Sequence, residues 1–287
     1  MTHKFTISIR KLVTAFCTVI MLLSFLLTLG SCNKTEDIDA ETAKLVFLNA
    51  IENMSAINNW KSVIISEYDD KKDEKLEATF IICRTGNLSD SKISIDFDTN
   101  EYWYPTDRSN YYNYIGHTFV GKGNDNNYYF LVKEESHEYK DGYEVLSSQE
   151  SESYYDILEE SDYYEFIDSY NSILNSALDC GVFGENNITE YLSDPKTKIN
   201  CVKTTNKKVV SYELSIVCYE EWAADEKQYV KEHNMTVNIA DGLVTNLSEF
   251  NEVFIDEIKN KDVKEKNRID ITYNIETLSM PNLSEYL

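Results

Sequence analysis

The sequence predicts an α+β fold in which one antiparallel sheet carries an N-terminal helix and a central helical insertion. Short segments with alternating apolar and polar residues recur along most of the chain, as expected for strands with one buried face. Helical spacing of apolar residues is confined to one early and one central region. No internal repeat and no Pro- or Ser-rich linker divides the 287 residues, so we expect one main domain.

The first 31 residues have the pattern of an export signal. Lys4, Arg10 and Lys11 form a positive flank, and a mostly apolar, uncharged stretch over 12–29 follows. Leu29-Gly30-Ser31-Cys32 then resembles the lipobox of bacterial lipoproteins, in which small residues precede an obligatory cysteine. This resemblance implies cleavage before Cys32 and attachment of acyl chains to its sulfur. An uncleaved membrane anchor is the alternative, because the apolar stretch is just long enough to span a bilayer.

Both alternatives place the rest of the chain outside the cytoplasmic membrane, in the bacterial cell envelope. We expect residues 32–41 to form a flexible tether and residues 42–287 to form the folded domain. Removal of residues 1–31 takes away three of 27 basic residues and none of 50 acidic ones, so the mature formal charge is 24 − 50 = −26. Two acyl chains suffice for stable attachment to a membrane.

Helical spacing predicts a single helix soon after the tether. Asp39 or Thr42 would cap its start, and Asn58-Asn59 would end it. The apolar stripe of this helix consists of Ala43, Val46, Phe47, Ala50, Ile51, Met54 and Ile57. A stripe of this width needs a sheet to pack against.

Period-two alternation predicts strands before and after a central helical region. The early strands cover 62–68, 76–84, 93–98, 128–132 and 143–146, and the late strands cover 210–218, 235–239, 243–254 and 269–275. Asp241-Gly242 is a strong signal for a two-residue hairpin turn. Residues 151–178 show helical spacing and predict one or two helices, and residues 222–231 predict a loop or short helix.

The remaining cysteines do not define a single disulfide pattern. Cys83, Cys180, Cys201 and Cys218 allow three disulfide pairings in an oxidising compartment. Cys201 and Cys218 fall on neighbouring predicted strands, but the register about Asn206-Lys207 does not place them opposite each other. Buried free thiols are an equally open interpretation, and no Cys/His spacing indicates zinc.

Several short segments resemble the bacterial lipoprotein-carrier superfamily, which includes the carrier that sorts lipoproteins to the outer membrane and the mycobacterial lipoglycolipid-binding lipoproteins. These segments are Phe47-Leu48-Asn49-Ala50-Ile51 before Trp60, Tyr212-Glu213-Leu214-Ser215-Ile216, Ala240-Asp241-Gly242-Leu243-Val244, Ile271-Thr272-Tyr273-Asn274 and Met280-Pro281. The resemblance implies that the sheet curves into an open half-barrel with helices covering the concave face. It also implies an acyl-chain or other lipid ligand. A polar insertion over 107–127 departs from the family pattern.

An incompletely filled concave face would bind acyl chains, because each buried CH2 contributes about 0.8 kcal/mol. The residues expected to line this ligand site are Phe80, Ile82, Ile95, Phe97, Phe130, Tyr212, Leu214, Ile216, Val237, Ile239, Ile271 and Tyr273. The alternative is that the face is ordinary core, because alternation is typical of any half-buried sheet. The corresponding function is a non-catalytic carrier or chaperone, whose ligand identity and oligomeric state stay open.

An aromatic cluster gives a second functional hypothesis. It consists of Tyr102-Trp103-Tyr104, Tyr111-Tyr112 and Tyr114, and such side chains provide rigid contact area for a protein or a glycan. Aromatic residues of an ordinary hairpin are the simpler interpretation.

Other chemistry finds little support in the sequence. The excess of 50 acidic over 27 basic residues opposes a nucleic-acid partner. Asp96, Asp98, Asn100 and Glu101 lack the glycine of an EF-hand calcium loop. The pairs Glu134-Glu135 and Glu159-Glu160 are typical of solvated surface, and no nucleophile, zinc or phosphate-loop motif occurs. We therefore expect no catalytic residues, no metal and no cofactor.

Overall fold

The computed structural model describes residues 34–70, 75–86, 93–105, 109–145, 149–167, 192–206, 209–224, 227–255 and 258–286. These residues form one 13-stranded antiparallel sheet with two helices, which confirms the predicted curved-sheet α+β class. The strands are β1 (Lys34–Ile38), β2 (Trp60–Asp70), β3 (Lys75–Thr85), β4 (Ser94–Tyr104), β5 (Tyr111–Lys122), β6 (Tyr128–Lys140), β7 (Tyr143–Glu144), β8 (Glu150–Leu158), β9 (Lys198–Asn206), β10 (Val209–Ala224), β11 (Lys227–Ala240), β12 (Leu243–Ile255) and β13 (Ile258–Tyr273). The helices are α1 (Ala40–Ser55) and α2 (160–167), and a short 3-10 helix covers Leu283–Tyr286.

The sheet consists of two meanders joined side by side. Its strand order is β1-β9-β10-β11-β12-β13-β2-β3-β4-β5-β6, with β7 and β8 both paired to the far side of β6. The join is the antiparallel pairing of β13 with β2. Over the described residues the sheet stays open, with β1 at one edge and β7 and β8 at the other.

Helix α1 lies on the meander β9–β13. Asp39 caps its start as predicted, because the Asp39 carboxylate accepts hydrogen bonds from the Thr42 amide (3.0 Å) and hydroxyl (2.7 Å). The predicted apolar stripe packs into the core through Ala43, Phe47, Ala50 and Met54. The helix ends at Ser55, before the predicted Asn58-Asn59, and Ala56 is its C-cap. Asn59 directly precedes β2 and accepts a hydrogen bond from the Gly86 amide (3.0 Å).

Helix α2 lies on the other meander, and it begins later than the sequence predicts. Residues 150–158 form strand β8 along β6, with Tyr155 beside Tyr129 and Tyr154 beside Phe130. The helical prediction over 151–158 was therefore wrong, because the three-residue spacing of Tyr155 and Leu158 fits a helix but also occurs in this strand. Tyr163 and Ile167 of α2 are buried against the sheet. Residues 168–178, the remainder of the predicted helical region, lie outside the described residues.

Further segments that we did not predict as strands also belong to the sheet. Strand β5 occupies most of the predicted polar insertion 107–127, and β10 and β11 pair as far as Ala224 and Lys227. Both segments mix aromatic and polar residues without a regular alternation, so the two-residue period of a strand is not visible in their sequence. Residues 34–38, which we expected in the tether, form β1 on β9, where Lys203 bonds to Glu36 at 2.9 Å.

The predicted hairpin turn at Asp241-Gly242 is confirmed. Both residues have left-handed backbone angles, with φ of 51° and 76°, as a type I′ turn requires. The cysteine register is also confirmed, since Cys201 lies opposite Leu214 rather than Cys218. Cys83, Cys201 and Cys218 are free thiols, and Cys180 lies outside the described residues.

The export signal and Cys32 lie outside the described residues as well. Within the described ranges, no helix combines the length and the hydrophobicity that crossing a membrane would require.

Candidate functional site

The strand registers place all twelve predicted ligand-site residues on one face of the sheet. Alternate residues of a strand share a face, and residues opposite each other on paired strands share it too. One such row runs across the molecule through Leu214, Val237, Leu247, Ile269, Ile64 and Phe80. A second row runs through Ile271, Ser62, Ile82 and Phe97. We call this side, which α1 and α2 cover, the inner face, and the opposite side the outer face.

The inner face of β9–β13 is packed core. Five of the predicted residues are buried here in one cluster with the apolar stripe of α1, namely Leu214, Ile216, Val237, Ile239 and Ile271. Tyr212 and Tyr273 are half-buried at the edge of this cluster. In this half of the sheet, the alternating residues support α1.

The inner face of β2–β6 forms a second cluster under α2. Ile82 and Ile95 are fully buried there with Tyr163 and Ile167. Tyr163 also donates a hydrogen bond to the Ile93 carbonyl, and burial raises the pKa of its phenol. The α2 helix is thereby fixed to the sheet by both apolar and polar contacts.

A strip of half-buried apolar side chains lies between and beside the two covered areas. It consists of Ile64, Phe80, Phe97 and Phe130, and we call it the central strip. Ile64 packs against both clusters, Phe80 stacks on Phe97 with centroids 6.2 Å apart, and Phe130 stacks on Phe166 of α2 at 4.6 Å. Three of these four residues belong to the predicted set.

Arg84 was not predicted, although it lies beside the central strip. It follows Phe80 and Ile82 on the inner face of β3, opposite Trp60 and Ile95. Arg84 is only 9% exposed, and in the part of the chain that the structure describes its Nε–H has no hydrogen-bond acceptor. Burial lowers the pKa of its guanidinium. The sequence could have indicated that Arg84 faces inward, because Arg84 continues the series of every second residue formed by Leu76, Ala78, Phe80 and Ile82.

A buried polar network occupies the inner face of β11–β13 beyond the core. His233 Nδ1 lies 2.6 Å from Glu249 Oε1, and Asn267 donates to Glu249 Oε2 at 2.9 Å. Ser66 donates in turn to Asn267 Oδ1 at 2.8 Å. Cys218 lies opposite His233, but burial raises the pKa of its thiol to about 12, so it is not an activated nucleophile.

The oxygen-rich set predicted from β4 divides between the two faces. Asp96, Asp98 and Asn100 lie on the outer face, whereas Glu101 lies on the inner face, opposite Tyr114. His117 Nδ1 is 2.7 Å from Asp98 Oδ1 and 3.4 Å from Asp96 Oδ1, and these three residues have donor atoms that could share a metal ion. The same distances also fit a histidine side chain that contacts two carboxylates directly, with no metal ion between them. Burial raises the pKa of Asp96.

The predicted aromatic cluster also divides. Trp103, Tyr112 and Tyr114 lie on the inner face, and Tyr102, Tyr104 and Tyr111 lie on the outer face. Trp103 stacks on Tyr112 at 5.6 Å, and each is 44% exposed.

The two pairs of adjacent glutamates do not have the arrangement of a catalytic carboxylate dyad. Glu134 points to the inner face and Glu135 to the outer face of β6. Glu159 and Glu160 are exposed where β8 leads into α2, and Tyr128 donates to Glu160 at 3.1 Å.

No family model and no curated protein matches the sequence. Among solved structures, the chain is similar to a beta-barrel-like protein of a domain of unknown function, DUF1849, from Brucella abortus, at 10% identity over 76% of this chain and 100% of that chain, with a TM-score of 0.25. It is also similar to a putative AttH from Nitrosomonas europaea, at 7% identity over 76% of this chain and 93% of that chain, with a TM-score of 0.19. TM-scores this low support no inference from these proteins to this chain.

Proposed function

We propose that the protein is a lipid-anchored envelope protein that binds an acyl-chain ligand at the central strip without catalysing a reaction. The observation that carries this proposal is the half-buried set Ile64, Phe80, Phe97 and Phe130 beside two fully packed clusters. Aromatic side chains that the fold itself leaves partly uncovered are a favourable surface for an apolar ligand.

The central strip has dimensions that suit an acyl chain. It runs from β2 to β6 and crosses four inter-strand spacings of about 4.8 Å, or roughly 19 Å in total. This is the length scale of an extended long acyl chain. Each methylene buried there would contribute about 0.8 kcal/mol.

Binding is tested on the mature chain, residues 32–287, with Cys32→Ser so that no anchor is attached. We expect a fluorescent fatty acid to bind and Phe80→Ala to weaken binding about tenfold, equal to about 1.4 kcal/mol of lost apolar contact. Phe250→Ala is the matched control, because Phe250 is 38% exposed and lies on the outer face. Equal affinity of both variants and the parent would refute binding at the strip.

Anchoring is tested separately in the bacterial cell. The lipobox-like Leu29-Gly30-Ser31-Cys32 predicts that radiolabelled palmitate is incorporated into the protein and that Cys32→Ala abolishes the label. A Cys17→Ala variant, in the expected signal, should label normally. Palmitate incorporation that persists in Cys32→Ala would mean that the lipid is attached to another residue, and it would contradict the assignment of Cys32.

A second candidate function is recognition of a glycan or protein through exposed aromatic residues. The stacked and exposed pair Trp103 and Tyr112 favours it. Replacement of both by Ala should abolish capture of an envelope glycan while fatty-acid binding persists. Unchanged capture would remove this candidate.

A further inference from the structure

Two polar groups beside the central strip, Arg84 Nε–H and the Ser62 hydroxyl, are buried without a hydrogen-bond partner among the described residues. Arg84 is 9% exposed with an unbonded Nε–H, and Ser62 is fully buried with an unbonded hydroxyl. Within the described ranges, no carboxylate forms an ion pair with Arg84. In most proteins a buried charge is paired, so this arrangement needs an explanation.

The two groups lie close together on the inner face. Arg84 lies opposite Trp60, and Ser62 lies opposite Ile82, so they are diagonal neighbours on β3 and β2. Diagonal neighbours are about 7–8 Å apart at their Cα atoms, which a long side chain can bridge. Both can therefore donate to one bound group.

We propose that Arg84 and Ser62 bind the acidic head of the acyl ligand, which makes the ligand an anionic amphiphile. A guanidinium is charged at every physiological pH and presents a planar fork of donors that matches the oxygens of a carboxylate or a phosphate. The bound acid would supply the countercharge that the fold omits. The inference rests on the proposed function, because it assigns the chemistry of the same ligand.

The position of Arg84 suits a head group that continues into a tail. Phe80 lies four residues before Arg84 on the same face of β3, and Phe97 lies two residues after Ile95, which faces Arg84. Two residues of a strand span about 7 Å. A head held by Arg84 thus leaves the first carbons of the chain directed along the central strip.

Arg84 also predicts an unusual relation between stability and binding. An unpaired buried charge destabilises the ligand-free fold, and an apolar side chain of similar size removes that cost. Arg84→Met should therefore raise the thermal midpoint of the ligand-free protein while removing preference for acids. A residue with a purely structural role would show the opposite change in stability.

The test compares dodecanoic acid, its methyl ester and dodecyl phosphate on the mature chain with Cys32→Ser, by displacement of a fluorescent probe. We expect the parent to bind at least one acidic ligand about tenfold more tightly than the ester, and Arg84→Met to abolish this preference. The comparison of acid with phosphate identifies the preferred head. Arg268→Met is the matched control, because Arg268 is exposed and bonds to Asp270 on the outer face.

The outcomes separate the two proposals. If the ester binds the parent as tightly as both acidic ligands, the anion subsite is overturned while the acyl site stands. If no ligand binds, the proposed function fails and this inference fails with it. If Arg84→Met does not fold, Arg84→Lys keeps the charge without the fork and should show a reduced preference for acid, and an unchanged preference would contradict the role of Arg84.

Discussion

Glu249 is fully enclosed on the inner face, with both carboxylate oxygens bonded. His233 lies at 2.6 Å and Asn267 donates at 2.9 Å. Glu249→Ala would remove from a buried site the carboxylate that both His233 and Asn267 contact, and we expect it to lower the free energy of unfolding by about 3–5 kcal/mol. Urea unfolding measures the change. Glu67→Gln is the control, because Glu67 forms an exposed 3.8 Å pair with Lys266 and should change little.

The carboxyl of Asp96 predicts a defined pH dependence of stability. Burial raises its pKa in the folded chain, and His117 opposes this shift. The folded state then holds the proton at a pH where the unfolded state, with a pKa of about 3.9, has released it, so stability falls as pH rises through this window. Asp96→Asn removes that loss.

We therefore expect the stability of Asp96→Asn relative to the parent to increase as pH rises from acid to neutral. Thermal unfolding across this range measures it. Asp98→Asn is the comparison, since Asp98 is exposed and its negative charge adds to the raised pKa of Asp96, so this variant should show a smaller gain than Asp96→Asn. A constant difference for Asp96→Asn would contradict the assignment.

At the residue scale, strand parity predicted the common face of the twelve apolar residues but not their burial. Leu214 and Phe80 have the same pattern in the sequence, yet Leu214 is fully buried under α1 and Phe80 is half-buried. Burial depends on which helix covers which strand, and that is a tertiary property. His233 continues the parity of Met235 and Val237, but its partner Glu249 is 16 residues away on another strand.

At the element scale, α1 acts as a fixed cover of its meander. Phe47 is among its largest fully buried side chains. We expect Phe47→Ala to lower the free energy of unfolding by about 3–5 kcal/mol, whereas Leu45→Ala, at a 61% exposed position of the same helix, should change it by less than about 0.5 kcal/mol.

The same pair of variants tests where the ligand binds. Because α1 packs on β9–β13 and the central strip lies on β2–β6, Phe47→Ala should leave fatty-acid affinity unchanged at temperatures where it is folded. Isothermal titration measures the affinity. A loss as large as that of Phe80→Ala would move the ligand beneath α1.

Elements whose apolar and polar residues alternate clearly were predictable from the sequence, and elements without such a clear alternation were not. Strand β10 alternates Tyr212, Leu214 and Ile216 with polar residues, and α1 has a clean stripe with an Asp39 cap. Strand β5 carries polar and aromatic side chains on both faces, and β8 carries tyrosines, so their pairing partners rather than their own patterns define them.

At the scale of the whole molecule, two meanders joined through β13 and β2 present one continuous inner face to two separate helices. Each meander has its own cluster, so each helix packs on its own cluster while Ile64, Phe80, Phe97 and Phe130 stay half-buried. The antiparallel class was predictable from alternation and hairpin signals. The join of β13 to β2 was not, because these strands lie at opposite ends of the chain.

The most direct measurement is photocross-linking with a fatty acid that carries a diazirine on its tail, followed by peptide mapping of the mature chain. We expect cross-links on the peptides that contain Ile64, Phe80, Phe97 and Phe130, and we expect unlabelled fatty acid to compete them away. Cross-links confined to the outer face or to the cluster beneath α1, or cross-links that do not compete, would contradict an acyl-chain site at the central strip.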